Sequence, residues 1–168
     1  MANNKILIAL NQSEWSLKIL PSVERLFAPA DNELILFYIT NPPGAAGFGE
    51  PDLAPGYVAM PGDEAVRPTL HPIYESQQED SIRAHVEAEL APLKDRLEQA
   101  GYSVNIRVGF DKDPVAAISN LVRDDAIDLI AMSTLGRVGV TRFFFRNIAD
   151  TLAQREQLPV LLVHPSQS

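Results

Sequence analysis

The sequence predicts an α/β protein built as a three-layer sandwich, a five-stranded parallel sheet between two layers of helix. Three observations carry that expectation. Short apolar or alternating runs are separated by segments whose apolar residues recur at helical spacing, in the order β-α-β-loop-α-β-α-β-α-β. Two of the runs, Ile6 to Leu10 and Leu129 to Met132, hold no polar residue, as suits parallel strands covered on both faces. Residues 128 to 164 then read as strand, glycine-punctuated loop, helix and strand, one βαβ unit with an anion site available in its first turn. Right-handed crossovers would place helices on both faces, and ligands of such sheets sit beyond the strand C-terminal ends at the topological switch point.

Taken in order, Ile6 to Leu10 is the first strand, and Asn11, Gln12 and Ser13 end it with turn and cap residues. Ser13 is the expected N-cap of a helix over Glu14 to Phe27, with Leu17, Leu20, Val23, Leu26 and Phe27 near helical spacing. Pro21 lies inside that segment and predicts a kink or a broken first turn. Leu34 to Ile39 is the second strand, rich in β-formers. Residues 41 to 74 hold seven of the thirteen prolines and five of the nine glycines, so no regular element is expected there. This stretch is either a linker or a lid or interface arm, projecting over the strand C-terminal ends. Ile82, Val86, Leu90, Leu93 and Leu97 mark a long amphipathic helix over Glu75 to Ala100, with Pro92 expected to bend it and Gly101 at the C′ position. Tyr102, Val104, Ile106 and Val108 alternate with polar residues, the period-2 signature of a half-exposed edge strand. Asp113 and Pro114 open the third helix as cap and N1 proline, with Val115, Ile118 and Leu121 or Val122 facing the core. After the fourth strand, Gly136 and Gly139 break the pattern, Phe145, Ile148, Ala149 and Leu152 form a helical stripe, and Pro159 opens the apolar run Val160 to Val163.

At 168 residues the chain is about one domain long, so residues 1 to 168 read as a single domain carrying an inserted loop. A formal net charge of −8 repels nucleic-acid phosphate and anionic membrane, so neither is an expected partner. Without cysteine there is no disulfide, thiolate nucleophile or Cys-ligated metal. The first apolar run is too short for a signal-peptide core or a transmembrane span, which makes a cytoplasmic protein the default.

The stretch from Asp128 to His164 resembles the C-terminal half of a universal stress protein. Nucleotide-binding members of that family carry Gly-x2-Gly-x9-Gly-[Ser/Thr/Asn] between the fourth strand and the last helix. Here the pattern falls on Ser133, Gly136, Arg146 and Asn147, of which Gly136 and Asn147 match and Ser133 and Arg146 stand where glycines belong. The other landmarks are Ser13 and Glu14 after strand one, Asp113 and Pro114 before helix three, and Pro159 and Val160 opening strand five. The resemblance spans the chain apart from the 41 to 74 insertion. It implies a Rossmann-like sheet of the adenine nucleotide alpha hydrolase-like type, strand order 3-2-1-4-5, with the switch at Asn11 and Ser133. It implies a homodimeric regulatory or protective module of the stress response, paired through Val160, Leu161, Leu162 and Val163. The ligand it implies is an adenine nucleotide, AMP or ATP, with magnesium only alongside ATP. The implied site is Ala9, Leu10, Asn11, Ile39, Met132, Ser133, Gly136, Arg137, Gly139, Arg146 and Asn147. Asn11 replaces the aspartate usual in the family's nucleotide binders, keeping an acceptor oxygen but losing the charge.

No catalytic constellation accompanies these residues. There is no nucleophile elbow, no His-Glu-x-x-His, no Walker loop with its lysine and no dinucleotide fingerprint after strand one. His71, His85 and His164 lie in a loop, on a helix and at a strand end, with no spacing that gathers them around a metal. The expectation is therefore a binding module. Slow ATP hydrolysis in the same crevice and a nucleotide-independent partner-binding domain are the alternatives. A glycine at position 146 would leave room for phosphate on backbone amides at the helix start, whereas an arginine either excludes it or, with Arg137 and Arg142, neutralises it.

Overall fold

The computed structural model describes residues 4–12, 14–43, 72–134 and 140–164, with backbone alone for 72–74 and 140–146. Five parallel strands lie in the order β3-β2-β1-β4-β5. The strands are β1 (Asn4–Leu10), β2 (Asn32–Thr40), β3 (Ser103–Phe110), β4 (Leu129–Ser133) and β5 (Val160–Val163). The helices are α1 (Leu20–Leu26), α2 (Pro72–Gln99), α3 (Pro114–Asp125) and α4 (Val140–Glu156), with 3-10 turns at Glu14–Ile19 and Pro29–Asp31.

The pleat sorts alternate residues to opposite faces. Ile6, Ile8 and Leu10 join Leu34, Leu36 and Val104 in a cluster closed by residues of α1 and α2, including Val23, Val86, Leu90 and Leu97. Leu7, Ala9, Ile35, Phe37, Ile130 and Met132 form the opposite cluster with Ile118, Val122, Ile148 and Leu152 of α3 and α4. Because β1 is buried on both faces from Ile6 to Leu10, its apolar run has no alternation.

The segment expected as one helix over Glu14 to Phe27 divides in two. A 3-10 turn runs to Ile19, and α1 begins at Leu20, so Pro21 occupies the first turn, where its missing N–H costs no helical hydrogen bond. Ser13, the expected cap, lies outside the described residues. α2 begins at Pro72, which makes residues 72–74 helical rather than part of the irregular stretch, and it continues past Pro92. The cap at its C-terminal end is complete: Gly101 N–H, at φ 101°, donates to Glu98 O, and Tyr102 N–H donates to Leu97 O, which together form a Schellman turn. Residues 44–71, most of the expected loop, lie outside the described residues.

The two ends of the strand order differ in length and cover. Among the described residues β3 pairs only with β2, and it alternates between buried or half-buried and exposed side chains over its first half, as its sequence predicts. β5 pairs with β4 and is half-buried at all four positions. Among the described residues no helix is long and apolar enough to cross a membrane.

Candidate functional site

The strand order changes direction between β1 and β4, which both run out toward the same rim of the sheet. A cavity of about 380 Å3 opens there, a size that suits a small-molecule ligand. Its apolar wall comes from Ala9, Ile39, Met132, Ile118 and Ile148, mostly the side chains of the α3/α4 face. Its polar rim comes from three strand ends: Asn11 and Gln12 after β1, Thr40 and Asn41 at the end of β2, and Ser133 ending β4. The loop between β3 and α3 closes one side with Asp111, Lys112 and Pro114.

Local hydrogen bonds hold this rim in shape. Asn11 N–H donates to Ser16 Oγ at 3.3 Å, and the Ser16 hydroxyl lies 3.4 Å from Asn11 O, closing the turn after β1. Ser133 Oγ donates to Trp15 O at 2.5 Å, tying the end of β4 to the 3-10 turn. That hydroxyl is therefore committed to the scaffold. Thr134 N–H donates to Val163 O at 2.9 Å, and its Oγ1 lies 2.8 Å from His164 Nδ1. On the other side, Asp111 N–H donates to Thr40 O at 3.0 Å, so the β3–α3 loop is fastened to the end of β2. Asp111 Oδ1 accepts from Asp113 N–H and Asp113 Oδ1 from Val115 N–H, both at 2.9 Å, the second being the predicted cap of α3.

Of the residues singled out in the sequence, Ala9, Leu10, Asn11, Ile39, Met132 and Ser133 line the cavity. Gly136, Arg137 and Gly139 lie outside the described residues. Asn147 is exposed on α4 and is not among the lining residues, although its neighbour Ile148 is. Arg146 is displaced from the position expected of it. α4 starts at Val140, so residue 146 falls in the second helical turn, where the backbone N–H is normally bonded to the carbonyl four residues earlier. The amides free for an anion are those of the first turn, and a glycine at 146 would not add to them.

Asp111, Lys112 and Asn41 were not singled out in the sequence. The Asp113–Pro114 cap marks a helix start, but only the pairing of β3 with β2 brings that start to the rim. On the opposite face of the sheet, Tyr38 lies in a second hollow with Ser81, His85 and Glu89 of α2. Burial, with the Glu89 carboxylate adding to it, raises the Tyr38 phenol above the usual tyrosine range. Among the described residues no group of three or more histidine, aspartate or glutamate side chains could hold a metal ion.

A model of the universal stress protein family matches residues 2–164. No curated protein matches in sequence. Among solved structures, the chain is similar to a universal stress family protein from Burkholderia pseudomallei, with 19% identity, 95% of each chain covered and a TM-score of 0.57. It is similar to a universal stress protein in complex with cAMP, with 20% identity, 99% of this chain and 100% of that one covered, and a TM-score of 0.57. A universal stress family protein from Arabidopsis thaliana with AMP bound gives 12% identity, coverage of 97% and 92%, and a TM-score of 0.56. At these identities the structural likeness speaks to the fold.

Proposed function

The chain belongs to the universal stress protein family, and from that premise we propose that it is a regulatory binding module whose cavity at the β1–β4 switch takes an adenine nucleoside or nucleotide. The observation that carries this reading is the cavity itself: a wall of Ala9, Ile39, Met132 and Ile148 for a flat base, with amides and hydroxyls along the rim for a sugar. Structural neighbours in complex with cAMP and with AMP support the choice of ligand class. The start of α4, just beyond β4, has the backbone polarity that suits a phosphate. Magnesium would enter only with ATP. With a side chain at Ser133 where the family signature has glycine, and its hydroxyl held by Trp15 O, phosphate contacts are fewer than that signature supplies, so ATP binds weakly.

Isothermal titration of adenosine, AMP and ATP tests the reading. Adenosine and AMP are expected to bind, with ATP gaining little over AMP. Absence of heat and of a thermal shift with all three would refute it.

The same premise gives an oligomeric state. The apolar, half-exposed edge of β5 supports a homodimer in which Val160, Leu161, Leu162 and Val163 meet the same residues of a second copy. Sedimentation at micromolar concentration tests it, a monomer being the outcome that counts against it.

A further inference from the structure

We propose that Asp111 reads the base: its carboxylate accepts a hydrogen bond from the exocyclic amino group of a 6-aminopurine, and so sets the base preference of the cavity. The inference rests on the nucleoside reading above and adds to it the residue that discriminates among bases.

The strand order sets the direction in which a nucleotide lies. Along the rim the cavity runs from the end of β4, the strand that precedes α4 in the chain, past β1 and β2 to the β3–α3 loop. A nucleotide with its phosphate toward α4 therefore places its sugar near Asn11 and its base between Ile39 and Asp111. The reverse pose would set phosphate against the Asp111 carboxylate, and like charges at close range disfavour it.

Asp111 is built to act as a fixed acceptor. Its N–H is held by Thr40 O, and its Oδ1 is held by Asp113 N–H, so both backbone and side chain are anchored. Oδ2 has no hydrogen-bond partner among the described residues, and the side chain is half-buried at the cavity wall. Lys112 beside it is exposed, where its ammonium stays hydrated. An ionised carboxylate is acceptor-only, so it favours a ligand edge that donates.

Anchoring of Oδ1 also predicts what asparagine would do. In Asp111→Asn the amide oxygen keeps the bond from Asp113 N–H, and the NH2 takes the place of Oδ2. A donor then faces the base, which penalises an amino group and suits a 6-oxo group.

The test compares adenosine, purine riboside, which lacks only the 6-amino group, and inosine, by titration into wild type and Asp111→Asn. Wild type is expected to bind adenosine about tenfold to a hundredfold tighter than purine riboside. In Asp111→Asn that gap closes and inosine gains on adenosine. Equal binding of adenosine and purine riboside by wild type, or a gap that Asp111→Asn leaves intact, overturns the assignment while leaving the nucleoside reading standing. If adenosine and AMP both fail to bind wild type, the nucleoside reading fails and the assignment falls with it. The wild-type comparison decides even if the variant is unstable.

Discussion

The two ends of the strand order, β3 and β5, handle the same physical problem differently. A terminal strand carries backbone groups with no further strand to pair with, and an apolar one invites association. β3 is eight residues long and one side of it is polar. Asn105 Nδ2 donates to Glu33 at 2.6 Å, and Arg107 Nε lies 3.3 Å from Asp125 Oδ2. Toward its end Gly109 has no side chain, and the Phe37 ring fills the space, with its Cζ only 2.5 Å from where a Cβ would stand. Tyr102, just before the strand, donates its hydroxyl to Phe27 O at 2.6 Å. β5 has four aliphatic residues, all half-buried, and none can answer water or a charge. The difference teaches that a terminal strand defended by side-chain chemistry can end the sheet, while an undefended one is suited to continue it.

The largest expected effect breaks the defended side. Phe37→Ala should destabilise the fold by about 3–5 kcal/mol in chemical denaturation, because the ring is buried and covers Gly109. Gly109→Ala alone should cost about 1–3 kcal/mol through overpacking against that ring. The double variant should cost less than the sum, since the clash disappears with the ring; strict additivity would show that the contact does not strain the variant.

Next in size is the undefended side. Leu162→Lys places an ammonium on β5 and, if the proposed two-fold interface forms there, opposite its copy. The dimer dissociation constant should rise about a hundredfold or more, read by sedimentation, with circular dichroism checking that the fold persists. No change in association would move the interface elsewhere.

Tyr102 gives a pH test of how β3 is anchored. Burial, with the Glu24 carboxylate adding to it, raises its phenol above the usual tyrosine range. A raised folded-state value means that this stability is fully present below the ordinary tyrosine value and is lost as pH climbs through the folded one. Tyr102→Phe should cost about 1 kcal/mol near neutral pH and flatten part of the alkaline decline in urea midpoint. Tyr38, raised in the same direction, would keep the remainder.

The smallest effect sharpens the contrast. Arg107→Ala removes an exposed ion pair to Asp125 and should lower stability by no more than about 1 kcal/mol. The variant should remain in the same association state as wild type. New association through β3, seen in the same sedimentation experiment, would show that the charge itself had been guarding the strand.

What the sequence by itself determined is whatever short-range chemistry decides. Apolar runs, alternation at Val104, Ile106 and Val108, the Asp113–Pro114 cap and the Gly101 turn each follow from hydrogen bonding and burial within a few residues. Their order was enough for the parallel sheet, and the resemblance supplied the strand order that the structure has. Six of the fifteen residues lining the candidate site were legible in the same way, because Ala9, Leu10, Asn11, Met132 and Ser133 end the two strands that flank the switch, and Ile39 lies next to the end of β2. Tertiary structure alone decided the rest. Asp111 reaches the cavity because β3 registers beside β2, Phe37 covers Gly109 across that same pairing, and Ser133 is turned to Trp15 over a separation of 118 residues. Register and packing join residues that are distant in the chain, and no local propensity encodes which partner each will meet.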